Sequence, residues 1–157
     1  MRALPALLLL TLAACAETGE SRADYAAADT DGHVSEVVLV AAPASAPPGF
    51  REAFATKALA KLQSCAHGPR ALTLQTDILD FHASNGVKTY LIGDSNEVRG
   101  TARLVDDKGR TVGDYDIHRR YSGQDIYGAV AMRDTVGQMA EAFAGEVCKR
   151  AFAGSAR

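Results

Sequence analysis

The stretch Val98–Tyr121, VRGTARLVDDKGRTVGDYDIHRRY, predicts two antiparallel β-strands joined by a tight turn at Lys108-Gly109. Small and apolar residues alternate with polar ones on both sides of the turn, which is the two-residue period of a half-buried strand. A register in which facing positions sum to 217 brings the apolar residues together as Leu104–Gly113, Ala102–Tyr115 and Gly100–Ile117, and pairs Arg103 with Asp114 and Arg99 with His118 on the polar side. A shift of one residue would set Ala102 against Asp114 and destroy the apolar face, so this register is strongly specified.

A strand and a helix are predicted upstream of this hairpin. The β-branched run within Val34–Ala42 is typical of a strand buried on both faces, and the prolines that follow end it. From Phe50 to Cys65 the apolar residues lie on one stripe of a helix whose other side is basic. His67-Gly68-Pro69 stops this helix, as glycine and proline commonly do.

Between Ala71 and Ala83 the sequence predicts a second strand with imperfect alternation. Ile78 and Leu79 compete for the inside of the sheet, and a bulge near Gln75–Asp77 would accommodate them. Ser84-Asn85-Gly86-Val87 is a strong hairpin signal, because Asn-Gly readily adopts the positive φ values of a type I′ turn. It predicts a short return strand over Lys88–Ile92.

The last predicted element is a long amphipathic helix, from Gln124 or Ile126 to Phe152, with one continuous apolar stripe. The elements therefore follow the order strand, helix, several strands, helix. This order predicts an α+β fold, in which a mainly antiparallel sheet of four to five strands carries two helices packed on one face.

The N-terminus has the pattern of an export signal. Met1-Arg2 precedes an apolar run of about a dozen residues, shorter than the roughly 20 that a membrane-spanning helix needs. The run ends at Leu12-Ala13-Ala14-Cys15, which resembles the lipobox of bacterial lipoproteins at every position. The resemblance implies cleavage before Cys15 and lipid on its thiol, so that the membrane becomes a partner through the anchor. Ala16 stands where an aspartate often retains lipoproteins in the inner membrane, which implies the outer membrane.

A second interpretation of the same site stays open. Ala14-Cys15-Ala16 also fits ordinary signal-peptidase cleavage, which would release a soluble protein that starts at Glu17. Under the lipoprotein interpretation the chain divides into a signal peptide at 1–14, a lipidated N-terminus with a flexible tether at 15–32, a single α+β domain at 33–153 and a disordered tail at 154–157.

The three cysteines agree with a lipidated Cys15. An odd cysteine in an exported chain needs another role, and lipid on Cys15 leaves Cys65 and Cys148 as an even pair. Each of the two lies near the C-terminal end of a predicted helix, and an oxidising compartment favours a disulfide between them. Two small buried thiols are the alternative.

Over residues 34–153 the architecture resembles small outer-membrane lipoproteins, namely the auxiliary lipoproteins of ABC transport systems and the domain of curli-type secretion lipoproteins with its relatives. The features that carry this resemblance are the Val-rich first strand, the Asp77-Ile78-Leu79 strand, the Asp106–Arg110 turn and the terminal amphipathic helix. The resemblance is architectural. It implies a non-catalytic role in the envelope and transfers no site residue other than Cys15.

No set of residues predicts catalysis, a metal site or a cofactor. The histidines lack metal-motif spacing, and no serine lies in a G-x-S-x-G elbow; the four histidines are His33, His67, His82 and His118. An acid–base pair is conceivable among Asp77, Asp80, Asp114 and Asp116, although Asp114 and Asp116 share a face with Arg99 and Arg103, which predicts salt bridges instead. With a net charge of −2, the chain has no excess of basic residues to bind the phosphates of a nucleic acid. It also has no tryptophan on which bases could stack.

We therefore expect a non-enzymatic, lipid-anchored binding or assembly module that faces the periplasm. Its expected partner is another envelope protein, bound by the sheet face or by an exposed strand edge. The alternatives are a carrier of a lipid or cell-wall fragment between the sheet and the helices, and a soluble periplasmic protein if Cys15 carries no lipid.

Overall fold

The structure is a computed structural model, and it describes residues 25–26, 31–84, 95–121 and 134–153. Its elements follow one another as β1 (Tyr25–Ala26), β2 (Gly32–Ala41), α1 (Phe50–Gln63), β3 (Arg70–His82), β4 (Asn96–Asp106), β5 (Thr111–Tyr121) and α2 (Thr135–Ala151). The strands form one sheet in the order β1-β5-β4-β3-β2. Strands β2 and β3 are parallel and are connected through α1, whereas every other pair is antiparallel. The predicted α+β fold class is confirmed.

The hairpin β4–β5 has the predicted register. Leu104 pairs with Gly113, Ala102 with Tyr115, Gly100 with Ile117, Arg103 with Asp114 and Arg99 with His118. Asp106 holds the turn, because its carboxylate accepts hydrogen bonds from the backbone N–H of Lys108 (3.0 Å) and of Arg110 (2.9 Å). The Arg110 side chain also donates to it at 2.8 Å, and these bonds hold the pKa of the Asp106 carboxyl below its ordinary value.

The bulge in β3 lies at Leu79, and the predicted position near Gln75–Asp77 is wrong. Ile78 pairs with Gly100 and Asp80 with Arg99, which leaves Leu79 as the extra residue. Alternation stays regular up to Ile78 because Thr76, although polar, faces the core, where its hydroxyl donates to the Thr101 carbonyl at 2.8 Å. The extra residue then allows Phe81 to return to the core.

Glycine is required opposite this bulge. A Cβ at position 100 would lie 2.4 Å from the Asp77 carbonyl oxygen, closer than side-chain carbons approach a backbone. Gly100 therefore permits the strands to come together where β3 is irregular.

Both helices cover the same face of the sheet, as predicted. The rings of Phe54 in α1 and Phe143 in α2 are fully buried and meet edge to face, with centroids 5.6 Å apart. At the margin, Phe50 contacts Phe81 of β3 with ring centroids 4.9 Å apart. These aromatic pairs join the two helices to each other and to the sheet.

The second helix begins later than expected. It starts at Thr135, because Asp134 has non-helical dihedral angles (φ −122°, ψ 62°) and acts as its N-cap. The Asp134 carboxylate accepts the backbone N–H of Gly137 at 2.9 Å. A continuous helix from Gln124 or Ile126 is therefore wrong, since a capping residue interrupts helical geometry.

Several predicted features fall outside the described residues. They are the signal peptide, Cys15, the Asn85-Gly86 turn, the return strand Lys88–Ile92 and the tail 154–157. Within the predicted tether, Tyr25 and Ala26 pair with Asp114 and Gly113 at one edge of the sheet. No helix in the described part of the chain has the length and apolar character needed to span a membrane.

Candidate functional site

The face of the sheet opposite the helices, here called the open face, is polar. Its side chains come from alternate positions of the central strands, and the register aligns them in rows across the sheet. The rows include Gln75–Arg103–Asp114, Asp77–Thr101–Asp116 and Asp80–Arg99–His118. All of these residues are exposed or half-buried.

A shallow pocket of about 460 Å³ lies on the open face. Its lining comes from β3, β4 and β5 and consists of Leu79, Arg99, Gly100, Thr101, Asp116, Ile117 and His118. Leu79 is 59% exposed, because successive side chains of a strand point to opposite faces and the preceding Ile78 faces the core. The register shift leaves Leu79 as the unpaired residue of β3 at the border of the pocket.

Two groups of charges on the open face are paired. Arg103 contacts Asp114 at 3.3 Å, which confirms the predicted cross-strand pair. Glu97 accepts from Arg120 at 2.9 Å and lies 2.6 Å from Nε2 of His118. The hydrogen bond from Arg120, followed by the one with His118, lowers the pKa of the Glu97 carboxyl.

Arg99 and Asp116 differ from their neighbours. Among the residues that the structure describes, neither the Arg99 guanidinium nor the Asp116 carboxylate has a hydrogen bond or an ion pair. Only the main-chain carbonyl of Asp116 is engaged, by a hydrogen bond from Arg150 at 3.1 Å. The expectation that Asp114 and Asp116 both form salt bridges with the arginines of this face therefore holds for Asp114 and is wrong for Asp116.

This arrangement can bind a partner through three different contacts. A free guanidinium offers a forked donor to a carboxylate, and a free carboxylate accepts from an ammonium or a second guanidinium. The exposed side chain of Leu79 adds apolar area next to both charges. The imidazole of His118 contacts the Glu97 carboxylate.

The other residues considered for chemistry are dispersed. His33 Nδ1 lies 2.9 Å from the Gly68 carbonyl oxygen, and the Ser35 and Ser64 hydroxyls donate to backbone carbonyls. His67 follows α1, and His82 ends β3. Within residues 31–84, 95–121 and 134–153, no three or more His, Cys, Asp or Glu side chains converge in a way that could hold a metal ion.

The predicted pairing of Cys65 and Cys148 is confirmed, since the two form a disulfide with a Cα–Cα distance of 5.8 Å. Cys65 follows the end of α1, and Cys148 lies in the last turn of α2. A cavity of about 380 Å³ beside the bond is lined by Ser64, His67, Lys149, Phe152 and Ala153 together with the two half-cystines. The disulfide joins the ends of the two helices.

Sequence reasoning did not identify the open-face pocket as a site. The signal was the adjacent pair Ile78-Leu79, which indicated a bulge but did not locate it. Gly100 is the residue that could have located the bulge, since it stands opposite the irregular position of β3. Which arginine of the open face lacks a partner among the described residues depends on side-chain geometry, which alternation in the sequence does not reveal.

Comparison with known proteins relates the chain to others through its fold. No protein-family model and no curated protein matches it. Among solved structures it is similar to the PelC dodecamer from Paraburkholderia phytofirmans, with 13% identity, a TM-score of 0.52, and coverage of 82% of this chain and 95% of PelC. A point variant of the same dodecamer gives 15% identity and a TM-score of 0.51, over 81% of this chain and 91% of the other.

A protein from Caulobacter crescentus, described as a candidate lipoprotein, is 20% identical over 72% of this chain and 85% of its own, with a TM-score of 0.36. At these sequence identities a likeness shows the fold alone, and of these structures only those of PelC have TM-scores above 0.5. The chain shares its α+β fold with PelC.

Proposed function

We propose that this chain is a non-catalytic binding module of the bacterial envelope and belongs to a transport or secretion system. Lipid on Cys15 holds it in the outer membrane, and the domain faces the periplasm. The lipobox Leu12-Ala13-Ala14-Cys15 supports the anchor, and the pairing of Cys65 with Cys148 supports it further, because it leaves Cys15 as the odd cysteine.

The open-face pocket is the observation that carries the binding function. Leu79 is exposed, and Arg99 and Asp116, whose charged groups have no partner among the described residues, line the same depression. Arginine and large apolar side chains commonly contribute most of the free energy of protein association. A binding site for another envelope protein accounts for all three features together.

The pocket chemistry defines the partner surface. The partner surface presents an acidic group to Arg99, a basic group to Asp116 and an apolar side chain to Leu79. PelC, which shares the fold, was solved as a dodecamer, and this supports an assembly role for a domain of this kind.

Site-specific crosslinking from the pocket tests the binding function. The full chain, with a photoreactive group at Thr101, is expected to form one stoichiometric adduct in native envelopes. Leu79→Asp and Arg99→Ala are each expected to reduce that adduct about tenfold, the effect of roughly 1.4 kcal/mol of binding free energy. Val40→Asp is the matched control, since Val40 is 58% exposed and does not line the pocket. An adduct unaffected by both pocket variants would contradict the proposal.

The anchor has a separate test. Mass spectrometry of the mature N-terminus is expected to find a lipid-modified Cys15, and Cys15→Ala is expected to move the chain out of the membrane fraction. An unmodified N-terminus at Glu17 would establish the soluble form instead.

One observation favours a carrier of a lipid or cell-wall fragment as the second candidate. A cavity of about 480 Å³ lies where the end of β3 meets the start of α2, with Phe81, His82 and Val136 in its lining. This volume lies within the range of small-ligand pockets. Lipid that co-purifies with the full chain, and that Val136→Trp displaces by filling the cavity, would favour this candidate. Extracts without lipid would count against it.

A further inference from the structure

The open face carries an excess of negative charge. Its strands place carboxylates on this face at Glu36, Asp77, Asp80, Glu97, Asp114 and Asp116. The guanidiniums of the same face, among the described residues, are those of Arg99, Arg103 and Arg120. This difference is larger than the formal net charge of −2 of the whole chain, so negative charge is concentrated on one side of the sheet.

Ion pairs do not neutralise this excess. Arg103 contacts Asp114 at 3.3 Å, and Arg120 contacts Glu97 at 2.9 Å, so two of the guanidiniums are already engaged. In the described part of the chain, neither a hydrogen bond nor an ion pair is made by the side-chain carboxylates of Glu36, Asp77, Asp80 and Asp116. Arg99 is the one guanidinium of this face that remains to balance them there.

The register brings two of these carboxylates to either side of Thr101. Asp77 of β3 and Asp116 of β5 both pair with Thr101 of β4, from opposite directions. Because neighbouring strands lie about 4.8 Å apart, a cation above Thr101 would be within reach of both carboxylates. Arg99 lies two positions along β4 on the same face, next to Thr101 in the lining of the open-face pocket.

We infer that the open face binds a basic segment of its partner protein, with a lysine or arginine side chain that contacts Asp77 and Asp116 above Thr101. This inference rests on the proposed binding function and specifies the chemistry of the partner. The unpaired carboxylates favour a basic partner over an acidic or a neutral one, because interfaces match opposite potentials and like charges oppose association.

Arg99 adds a second condition to this recognition. Its guanidinium repels a segment in which every charged residue is basic, and it attracts a segment that carries an acidic residue at the matching position. The partner segment therefore combines an overall positive charge with an acidic residue opposite Arg99.

Two short synthetic peptides test the charge of the partner. One alternates lysine with valine and the other glutamate with valine, and fluorescence anisotropy measures their binding to the full chain in detergent micelles. The wild-type chain is expected to bind the lysine peptide alone, with a higher Kd at about 150 mM salt than at about 50 mM, because salt screens exposed charges. Asp77→Asn combined with Asp116→Asn is expected to raise this Kd about tenfold.

A second double variant provides the matched control. Glu52→Gln combined with Glu141→Gln also removes two negative charges from exposed residues, but these residues lie on the helices that cover the other face. It is expected to leave the Kd of the lysine peptide unchanged. Arg99→Ala is expected to lower that Kd several-fold, since it removes the cation that repels lysine. Equal effects of the two double variants, or binding of the glutamate peptide, would overturn the inference.

The crosslink from Thr101 in native envelopes separates this inference from the proposed function. Asp77→Asn with Asp116→Asn is expected to reduce the adduct, whereas Glu52→Gln with Glu141→Gln is expected to preserve it. If Leu79→Asp removes the adduct and the Asp77 and Asp116 variant does not, the binding function stands and the basic partner is overturned. If the chain discriminates between the peptides but forms no adduct in envelopes, the binding function fails and the preference of the open face for a basic segment stands.

Discussion

At the scale of single residues, Asp134 shows how one carboxylate determines where an element begins. It caps α2 by accepting the Gly137 N–H and also contacts Lys57 of α1 at 3.3 Å. The hydrogen bond from Gly137, followed by the Lys57 contact, lowers the pKa of the Asp134 carboxyl. The charged form is therefore the one that stabilises the folded chain.

Asp134→Ala is expected to lower the free energy of unfolding by about 1 kcal/mol at neutral pH, the usual effect of losing an N-cap. Because the folded pKa is lowered, this contribution is present above the unfolded pKa of about 3.9 and is lost as the pH falls through the folded value. Urea denaturation of both chains across this pH range measures it.

Lys57→Gln removes the ion pair alone and is expected to change stability by less than about 0.5 kcal/mol, since both side chains are about half exposed. A difference between Asp134→Ala and wild type that grows in acid would contradict this assignment.

At the scale of elements, the bulge in β3 couples a backbone irregularity to a surface site. Leu79 is the extra residue of β3 opposite β4, and the strands tolerate it because Gly100 has no side chain. Gly100 also belongs to the lining of the open-face pocket, so the bulge and the pocket share this glycine.

Gly100→Ala is expected to destabilise the protein by about 1–3 kcal/mol, since the new methyl group would meet the Asp77 carbonyl at 2.4 Å and the strands would have to separate. Gly145→Ala is the matched control in α2. Its Cβ would meet only the end of the Lys61 side chain, at 3.7 Å, so a gain of about 0.5–1 kcal/mol is expected from helix propensity. Thermal denaturation compares the two. Equal effects would show that the close approach at Gly100 is unimportant.

At the scale of the whole molecule, the helix layer holds the two ends of the fold together. Helix α1 connects the parallel strands β2 and β3, and α2 follows the last strand, so the Cys65–Cys148 disulfide joins parts of the chain 83 residues apart. The rings of Phe54 and Phe143 make an apolar contact between the same two helices.

Replacement of both Cys65 and Cys148 by alanine is expected to lower the free energy of unfolding by about 2–5 kcal/mol, because the closed loop is long and the unfolded chain gains conformational freedom. Guanidinium denaturation without reductant measures the loss. Wild-type protein treated with reductant is the control and is expected to lose a similar amount. A double variant as stable as the oxidised wild type would show that packing of the helices suffices.

The hairpin register and the α+β order could be predicted because they depend on local periodicity. In Val98–Tyr121 a shift of one residue reverses every side chain, so the pairing of Ala102 with Tyr115 follows from the pattern alone. The Cys65–Cys148 pair could be predicted as well, once Cys15 was assigned to lipid, because the number of remaining cysteines and their places on the helices agreed.

The sequence by itself therefore determined the class of fold and the register of the central hairpin, since these depend on periodicity and turn chemistry, and its contiguous lipobox motif predicts lipid on Cys15. Only the tertiary structure decided that β3 bulges at Leu79, that Arg103 pairs with Asp114 while the charged groups of Arg99 and Asp116 have no partner in the described part of the chain, and that Arg51 donates to the Leu39 carbonyl of β2. These features depend on contacts between residues distant in the chain. A pattern of residue types does not distinguish among the several partners that the fold brings within reach.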